Sequence, residues 1–241
     1  MTQVLLIGAG GLGCGAALAL AAGGARELLV IDDDVVDETN LHRQILHTEG
    51  ALGQPKAESL AATLRERFPA VRVTPVLGRF DASSALRLLA DCAVAIDGSD
   101  NLATKFLAND AAVLARRPLI HGAAVETWGQ LLTVPVGGRP CYRCLFEELP
   151  PPDAQAPSCA EAGVLGPVPG AIGALQAAEA LRILRGESPA LTGRLIRYDS
   201  RLMTMRAIKF NRNPECGVCG DRPWITSTSL DPNRSTQECA S

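Results

Sequence analysis

The sequence lacks any apolar run long enough to span a bilayer, and it has no cluster of lysine and arginine residues. Its formal net charge of −3 over 241 residues predicts no basic surface that would bind nucleic acid. The first predicted strand begins at Val4, close to Met1, so we expect no signal peptide. We therefore expect a cytoplasmic protein with neither a membrane nor a nucleic-acid partner. In that reducing compartment the eight cysteines indicate metal binding or catalysis rather than disulfides.

The most informative segment is a glycine-rich turn, residues 8–13, which has the spacing G-x-G-x-x-G. It lies between an apolar run that predicts a buried parallel strand and an alanine-rich run that predicts a helix. Gly8, Gly10 and Gly13 allow a tight bend, a close approach of the backbone to phosphate, and close packing of the helix on the strand. Free N–H groups at the start of the helix favour an anion. The turn predicts a nucleotide site, with an unliganded turn or an ordinary dinucleotide site as alternatives.

Polar residues after the turn extend this predicted site. Asp32 ends the second predicted strand, about 20 residues beyond the turn, where a carboxylate holds a ribose hydroxyl. Asp33 and Asp34 are interpreted as part of a solvated loop. Arg43 offers a forked donor that matches phosphate, and Lys56 offers a point charge at the start of a predicted helix. By residue type alone both could be ordinary surface residues, but their position after a nucleotide turn favours phosphate binding.

A later predicted strand ends in a polar loop, residues 97–101. Carboxylates at the carboxyl end of a parallel strand lie over the ligand crevice, and magnesium is held in such places between a carboxylate and substrate phosphates. We expect Asp100 to face the ligand, while Asp97 and Ser99 cap the helix that follows. The loop therefore predicts a magnesium site at the same edge of the sheet as the glycine turn.

Predicted strands and helices alternate through about residue 136, which indicates a Rossmann-like α/β fold with a doubly wound sheet. The sheet is expected to be mixed: mostly parallel, with antiparallel strands near the C-terminus at residues 195–198 and 203–210. Cys92 and His121 lie within apolar strands and are interpreted as core residues.

Four cysteines occur in two C-x-x-C pairs: Cys141, Cys144, Cys216 and Cys219. Together they supply the four thiolates of a closed tetrahedral zinc site, which would clip the C-terminal part of the chain to the core. A redox pair or four unrelated thiols are the alternatives, although a redox pair is expected at the start of a helix, which neither pair clearly has. Between the pairs, a proline-rich crossing segment ends at Cys159, a lone thiol that is either a nucleophile or an incidental exposed cysteine.

Taken in order, these residues resemble the ThiF/MoeB/HesA family, the bacterial relatives of ubiquitin-activating enzymes, over about residues 3–220. The joint order of the motifs is far more specific than any one of them. The motifs that carry the resemblance are residues 8–13, Asp32, Asn40-Leu41-His42-Arg43-Gln44, Lys56, residues 97–101, both cysteine pairs and residues 159–163.

The resemblance implies an enzyme that adenylates the C-terminal Gly-Gly carboxylate of a small ubiquitin-like sulfur carrier, using ATP with Mg²⁺ and releasing pyrophosphate. Asn40, Arg43 and Lys56 would hold phosphates, and Asp100 would bind Mg²⁺. Cys159 matches the family's crossover-loop cysteine, which forms a covalent sulfur linkage in some members and is dispensable in others. The residues implied to bind nucleotide are Gly8, Gly10, Gly11, Gly13, Asp32, Asn40, Arg43, Gln44, Lys56, Asp100 and Asn101.

The resemblance also implies a domain plan and partners. One domain is predicted at residues 1–220, followed by a flexible tail at 221–241 in which Cys239 is unliganded. The parts of that domain are a nucleotide-binding half at about 1–136, a crossover loop at about 147–165, and C-terminal strands with the zinc site at about 193–220. We expect a homodimer and a separate sulfur-donor protein, since no rhodanese-like domain follows residue 220.

One departure from the family pattern lies at the N-terminus. Family members usually begin with a helical segment carrying an arginine that reaches the partner subunit's ATP, whereas this chain leads directly into the first strand. A non-catalytic scaffold that holds a carrier is therefore an alternative reading. An NAD-dependent oxidoreductase is another, but it leaves Arg43, Lys56 and the cysteine pairs unexplained. Thiamine, molybdopterin and specialised sulfur metabolites all remain open as the carrier's pathway.

Overall fold

The computed structural model describes residues 2–151, 162–227 and residue 230. Within these residues the chain forms a single eight-stranded sheet covered by helices. The strands are β1 (Gln3–Ile7), β2 (Glu27–Asp32), β3 (Arg72–Leu77), β4 (Val94–Asp97), β5 (Leu119–Val125), β6 (Trp128–Val134), β7 (Arg194–Asp199) and β8 (Thr204–Lys209). The helices are α1 (Gly11–Ala22), α2 (Lys56–Arg67), α3 (Ala85–Ala90), α4 (Leu102–Leu114), α5 (Arg143–Phe146) and α6 (Pro167–Leu184), with 3₁₀ turns at Glu38–Asn40 and Glu49–Ala51.

The strand order is β3-β2-β1-β4-β5-β6-β7-β8. The first five strands in that order are parallel, and β5 through β8 pair antiparallel. The predicted mixed, mostly parallel sheet with antiparallel C-terminal strands is therefore confirmed. Strand β1 lies between β2 and β4, so the chain winds first one way and then the other from this strand. Ligands of open α/β sheets bind at such a switch point, outside the carboxyl ends of the strands.

Both faces of the sheet are buried at the central parallel strands β1 and β4, as expected for parallel strands, whereas the edge strand β8 is exposed. Successive side chains of a strand point to opposite faces, so Leu5 packs with Phe106 of α4 on one face, while Leu6 packs with Leu20 of α1 and Leu60 of α2 on the other. All five side chains are buried at 1% exposure or less. The two hydrophobic layers fix the carboxyl ends of β1, β2 and β4 in one place, where the functional residues collect.

Helices α1 and α6 pack closely because glycine lies where they cross. A Cβ atom added to Gly173 would stand 2.2 Å from the carbonyl oxygen of Leu12 and 2.7 Å from the backbone nitrogen of Ala16. Backbone atoms cannot move aside as a flexible side chain can. The crossing also brings Pro169, near the start of α6, against the turn, since a Cβ on Gly11 would stand 2.9 Å from the Pro169 Cβ.

We expect Gly173→Ala to lower the free energy of unfolding by about 1–3 kcal/mol, because the added methyl forces the two helices apart. Urea denaturation measures this change. Gly170→Ala is the matched control in the same helix, since a Cβ there meets no atom within 4 Å. Its higher helix propensity should leave stability unchanged or raise it by up to about 1 kcal/mol. Equal loss of stability in both variants would argue against close packing at Gly173.

The described residues beyond Gly220 include two that are packed, although the sequence predicts a flexible tail at residues 221–241. Ile225 and Leu230 are buried and pack in the same hydrophobic cluster as Cys216 and Cys219. The packed part of the chain therefore continues past residue 220, because these two apolar side chains join the hydrophobic cluster that contains the cysteines. Among the described helices, none combines the length and the hydropathy that crossing a membrane requires.

Candidate active site

A crevice of about 580 Å³ opens at the carboxyl ends of β1, β2 and β4. It lies at the switch point of the sheet, between the glycine turn and the loop that follows β4. Of the residues predicted to bind nucleotide, all except Gly13 line it: Gly8, Gly10, Gly11, Asp32, Asn40, Arg43, Gln44, Lys56, Asp100 and Asn101. Residues separated by up to 93 positions in the sequence are thus gathered around one space.

The glycine turn has the shape that its spacing predicts. Gly8 has a φ of +94°, in the left-handed region that glycine adopts without strain. A Cβ on Gly13 would stand only 2.0 Å from the Gly8 carbonyl oxygen, so this glycine lets α1 pack on the end of β1. Gly13 therefore supports the turn from beneath and does not line the crevice.

Asp32 is held against the turn by its own side chain. Its Oδ2 accepts a hydrogen bond of 2.6 Å from the backbone N–H of Ala9, and its Oδ1 accepts one of 2.8 Å from the N–H of Asp34. Burial raises the pKa of Asp32 above its ordinary value, and the bond from Ala9 opposes that rise. Each carboxylate oxygen has a further lone pair, so Asp32 can still accept from a ligand hydroxyl.

Asp34 lies exposed in the loop after β2, as predicted, but its carboxylate also pairs with Lys56. The Lys56 Nζ lies 2.8 Å from the Asp34 Oδ2, with the lysine side chain 8% exposed and the aspartate 68% exposed. The backbone N–H of Lys56 also donates to the Asp34 carbonyl oxygen at 2.9 Å. A phosphate that binds Lys56 competes with this carboxylate, and the pairing keeps the buried ammonium at the edge of the crevice.

Arg43 is oriented by its own segment. The 3₁₀ turn Glu38–Asn40 is capped by Asp37, whose Oδ1 accepts from the Thr39 N–H at 2.8 Å. The Asn40 Oδ1 then accepts a hydrogen bond from the Arg43 Nη2. Gln44 is buried at 3% exposure, and its Oε1 has no hydrogen-bond partner in the described protein. Asn40 thus aims the guanidinium, in addition to lining the crevice itself.

The loop after β4 is anchored by a buried carboxylate. The Asp97 Oδ2 lies 3.0 Å from the Lys105 Nζ and 2.8 Å from the His121 Nδ1, and its Oδ1 accepts from the Ser99 N–H at 2.9 Å. Burial alone would raise the pKa of Asp97, but the ammonium of Lys105 and the bond to His121 hold it well below its ordinary value. His121 is a buried core residue, as predicted.

The capping prediction for this loop is wrong. Asn101, rather than Asp97 or Ser99, caps α4: its Oδ1 accepts from the Thr104 N–H at 2.8 Å. Asp97 and Ser99 instead bond to each other and to Lys105. Asp100 is exposed and lines the crevice, so its carboxylate is free to approach a cation bound there.

Several residues of the site region were missed by sequence reasoning. Arg79, Phe80 and Thr104 line the crevice, and Lys105 anchors its floor through Asp97. The one available signal was Lys105 itself, the sole basic residue in a mostly apolar predicted helix. His47 is the fifth residue that was missed. Its Nε2 lies 2.9 Å from the carbonyl oxygen of Ala9 in the glycine turn.

The four paired cysteines converge on one point. Their Sγ atoms all lie within 4.8 Å of one another, with separations of 3.9 Å for Cys141–Cys144, 3.6 Å for Cys141–Cys216 and 3.4 Å for Cys144–Cys219. A tetrahedral ion with Zn–S bonds of about 2.3 Å places its sulfurs about 3.8 Å apart, so the cluster fits zinc. The first pair does lie at the start of a short helix, contrary to expectation, since Cys141 precedes α5 and Cys144 lies in its first turn. The second pair beside it nevertheless favours a metal over a redox disulfide.

The four-cysteine cluster is tied to α4 by buried polar contacts. The Asn109 Nδ2 lies 3.8 Å from the Cys141 Sγ, and its Oδ1 accepts from the Tyr142 N–H at 2.8 Å. Arg143 makes a forked ion pair with Asp110, through two bonds of 2.8 Å. Such contacts fix the orientation of metal ligands. The cluster has no open position and lies away from the crevice lining, which indicates a structural role.

Two other described cysteines are chemically inert. Burial raises the pKa of Cys14 to about 12 and that of Cys92 to about 11, so neither forms a thiolate at neutral pH. Cys92 is a core residue, as predicted. The predicted nucleophile candidate, Cys159, and the tail residue Cys239 lie outside the described residues.

Comparison with known proteins places this geometry in context. The family model described as "ThiF family" matches residues 1–218. The SAMP-activating enzyme E1 of Haloferax volcanii is 46% identical over 220 residues, covering 91% of this chain and 81% of that protein. The "Adenylyltransferase and sulfurtransferase MOCS3" of Aedes aegypti is 42% identical over 226 residues, and that of Bos taurus 43% identical over 243 residues. The chain spans about half the length of these two, 52% and 53%.

Among solved structures, Escherichia coli MccB matches with a TM-score of 0.79 at 23% sequence identity. The match covers 91% of this chain and 67% of MccB. SeMet PaaA matches with a TM-score of 0.72 at 19% identity, over 88% of this chain. At these identities the likeness establishes the shared fold alone.

Proposed function

The chain belongs to the ThiF family, and on that premise we propose that it is an adenylyltransferase that activates the C-terminal carboxylate of a ubiquitin-like sulfur carrier with ATP. The observation that most supports the proposal is the single crevice lined by the glycine turn, Asp32, Arg43, Lys56 and Asp100. The turn and Asp32 suit a nucleoside phosphate, and the two cations suit its negative charge. The relatives named as adenylyltransferases and activating enzymes are consistent with this chemistry.

The reaction joins two anions, so electrostatics controls its rate. An oxygen of the carrier carboxylate attacks the α-phosphorus of ATP, a new O–P bond forms, and the bond to the β-phosphate oxygen breaks to release pyrophosphate. Arg43 and Lys56 offset the charge that accumulates on the phosphates. No protein base is needed, because a carboxylate is already ionised at neutral pH. The chain's contribution is positioning and charge, which is consistent with a crevice whose described lining includes cations but no cysteine.

Asp100 would hold a magnesium ion against the phosphates, and that ion would add further positive charge at the reacting centre. Its carboxylate is the exposed one in the loop after β4, whereas the Asp97 carboxylate is fully occupied by Lys105, His121 and Ser99. The donor set therefore leaves one oxygen ligand on this side of the crevice, as expected for magnesium bound mainly by phosphate and water.

The carrier's end is proposed to be Gly-Gly because small and apolar residues form part of the crevice lining. Ala124, Val164 and Pro169 are among them, and Pro169 lies so close to the glycine turn that a Cβ on Gly11 would stand 2.9 Å from the Pro169 Cβ. Val164 is fixed there by a β-bridge with Glu126. An extended chain without side chains could pass these walls and bring its carboxylate to the α-phosphate.

The experiment is ATP–pyrophosphate exchange, measured with a panel of purified ubiquitin-like carriers ending in Gly-Gly. We expect exchange that requires both Mg²⁺ and a carrier, with no exchange from the same carrier lacking its last glycine. Carrier binding without exchange by any member of the panel would favour the scaffold reading instead. Binding of NAD with no binding of ATP would favour an oxidoreductase.

A further inference from the structure

We propose that His47 is a positioning residue, which holds the glycine turn and α2 together behind the crevice. The ring is buried, at 6% exposure, and does not line the crevice. The Nε2 lies 2.9 Å from the carbonyl oxygen of Ala9, and the Nδ1 lies 2.9 Å from the Ser59 Oγ. A carbonyl oxygen only accepts, so the Nε2 carries the hydrogen and, in the neutral ring, the Nδ1 accepts from the Ser59 hydroxyl. Burial lowers the pKa of His47, which agrees with a neutral ring.

These bonds complete a closed circuit around one end of the crevice. The Ala9 N–H donates to Asp32, and the Asp34 N–H donates to the other Asp32 oxygen. The Asp34 carboxylate pairs with Lys56 at the start of α2. Ser59 lies three residues further along the same helix and returns to the turn through His47. The candidate ribose ligand and the candidate phosphate ligand are therefore linked to each other by a single chain of contacts.

The weak point in this circuit is the backbone at Ala9. This residue lies between Gly8 and Gly10, and glycines on both sides give the backbone wide freedom to rotate. Asp32 restrains the Gly8–Ala9 peptide through its N–H, and His47 restrains the Ala9–Gly10 peptide through its carbonyl, which among the described residues has one further, longer contact of 3.5 Å from the Cys14 Sγ. Both neighbouring glycines line the crevice. His47 therefore sets how the turn presents its backbone to a nucleotide, although it does not touch the ligand.

The inference rests on the proposed function, in that the crevice is taken to bind ATP. The test uses two polar replacements of similar character. His47→Gln keeps a terminal amide N–H that can reach the Ala9 carbonyl, whereas His47→Asn is one methylene too short to do so and can serve only Ser59. The measurement is the dissociation constant for ATP with Mg²⁺ by calorimetry, in the absence of any carrier, together with the melting temperature of each variant.

We expect His47→Asn to weaken ATP binding by about tenfold and His47→Gln to stay within about threefold of the unmodified protein, because only the first leaves the buried carbonyl unpaired. Equal affinities in the two variants, or affinities that simply follow the melting temperatures, would overturn the inference. If His47→Asn does not fold, Ser59→Ala replaces it: weakening of about threefold supports the circuit, and unchanged binding refutes it. Failure of the unmodified, folded protein to bind ATP would instead overturn the proposed function, and this inference with it.

Discussion

Replacing Arg43 by alanine is expected to reduce carrier-dependent ATP–pyrophosphate exchange by about 10²–10³-fold, the usual effect of deleting a preorganised group that stabilises transition-state charge. The guanidinium is held at the crevice by Asn40, so it needs no reorganisation when the carboxylate attacks. Arg43→Lys keeps the positive charge but loses the forked geometry, and its rate should fall between those of the other two proteins. Exchange at several ATP concentrations measures the loss in kcat and KM separately.

One control variant and one second site variant test whether the loss is specific to the crevice. Arg67→Ala removes an exposed arginine at the end of α2 and outside the crevice, so it should exchange at the unmodified rate. Asp100→Ala should lose exchange to a similar extent as Arg43→Ala, and raising the Mg²⁺ concentration should recover part of its activity. If Arg43→Ala and Asp100→Ala both exchange normally, the crevice is not the site of adenylation.

The parts of the site that could be predicted are those set by local spacing. A glycine turn between a strand and a helix fixes its own geometry, and Asp32 follows at the end of the next strand. Two C-x-x-C pairs are self-contained as well, because each places two sulfurs close together before any tertiary structure forms. For these elements the order of residues along the chain was sufficient to anticipate their positions.

The parts that could not be predicted depend on which distant residues the sheet brings together. Asp34 lies in a loop, and its ion pair with Lys56 could not be predicted. The two residues are 22 positions apart in the chain and become neighbours because the fold places the end of β2 beside the start of α2. The sequence predicts Asp97 as a helix cap, but in the fold it pairs with His121 of β5 and with Lys105 of α4. A buried carboxylate requires such partners, but the sequence does not say which side chains supply them.

The burial of residues beyond Gly220 also could not be predicted, because it depends on packing between distant parts of the chain. The polar and turn-rich composition of these residues predicts little structure, but the cysteine cluster fixes residues 216–219 against the α4 side of the sheet. Ile225 then lies within reach of a hydrophobic layer and is buried there. The sequence around Ile225 does not predict this burial. It depends on the contact between Cys216 and Cys141, which lie 75 positions apart in the chain.

If the four-cysteine cluster binds zinc, as its geometry favours, removal of that ion is expected to produce the largest change in stability. The cluster joins sulfurs 75 positions apart, and a crosslink over a loop of that size contributes about 4 kcal/mol by restricting the unfolded chain. For a protein of this length a loss of about 4 kcal/mol lowers the melting temperature by about 10 °C. We therefore expect Cys216→Ser, or prolonged exposure to a strong chelator, to lower the melting temperature by about that amount. Metal analysis of the unmodified protein should give about one zinc per chain.

Cys92→Ala is the control for this prediction, because Cys92 is a buried thiol outside the cluster. It should lose some core packing but keep its zinc. Nucleotide binding gives a second, independent comparison: the crevice is anchored by Asp97 and Lys105, which do not contact the cluster. Cys216→Ser should consequently bind ATP close to normally at temperatures where it remains folded, since the cysteines serve to attach the C-terminal strands. A folded, metal-free protein that melts at the same temperature as the zinc-bound one would rule out the structural role.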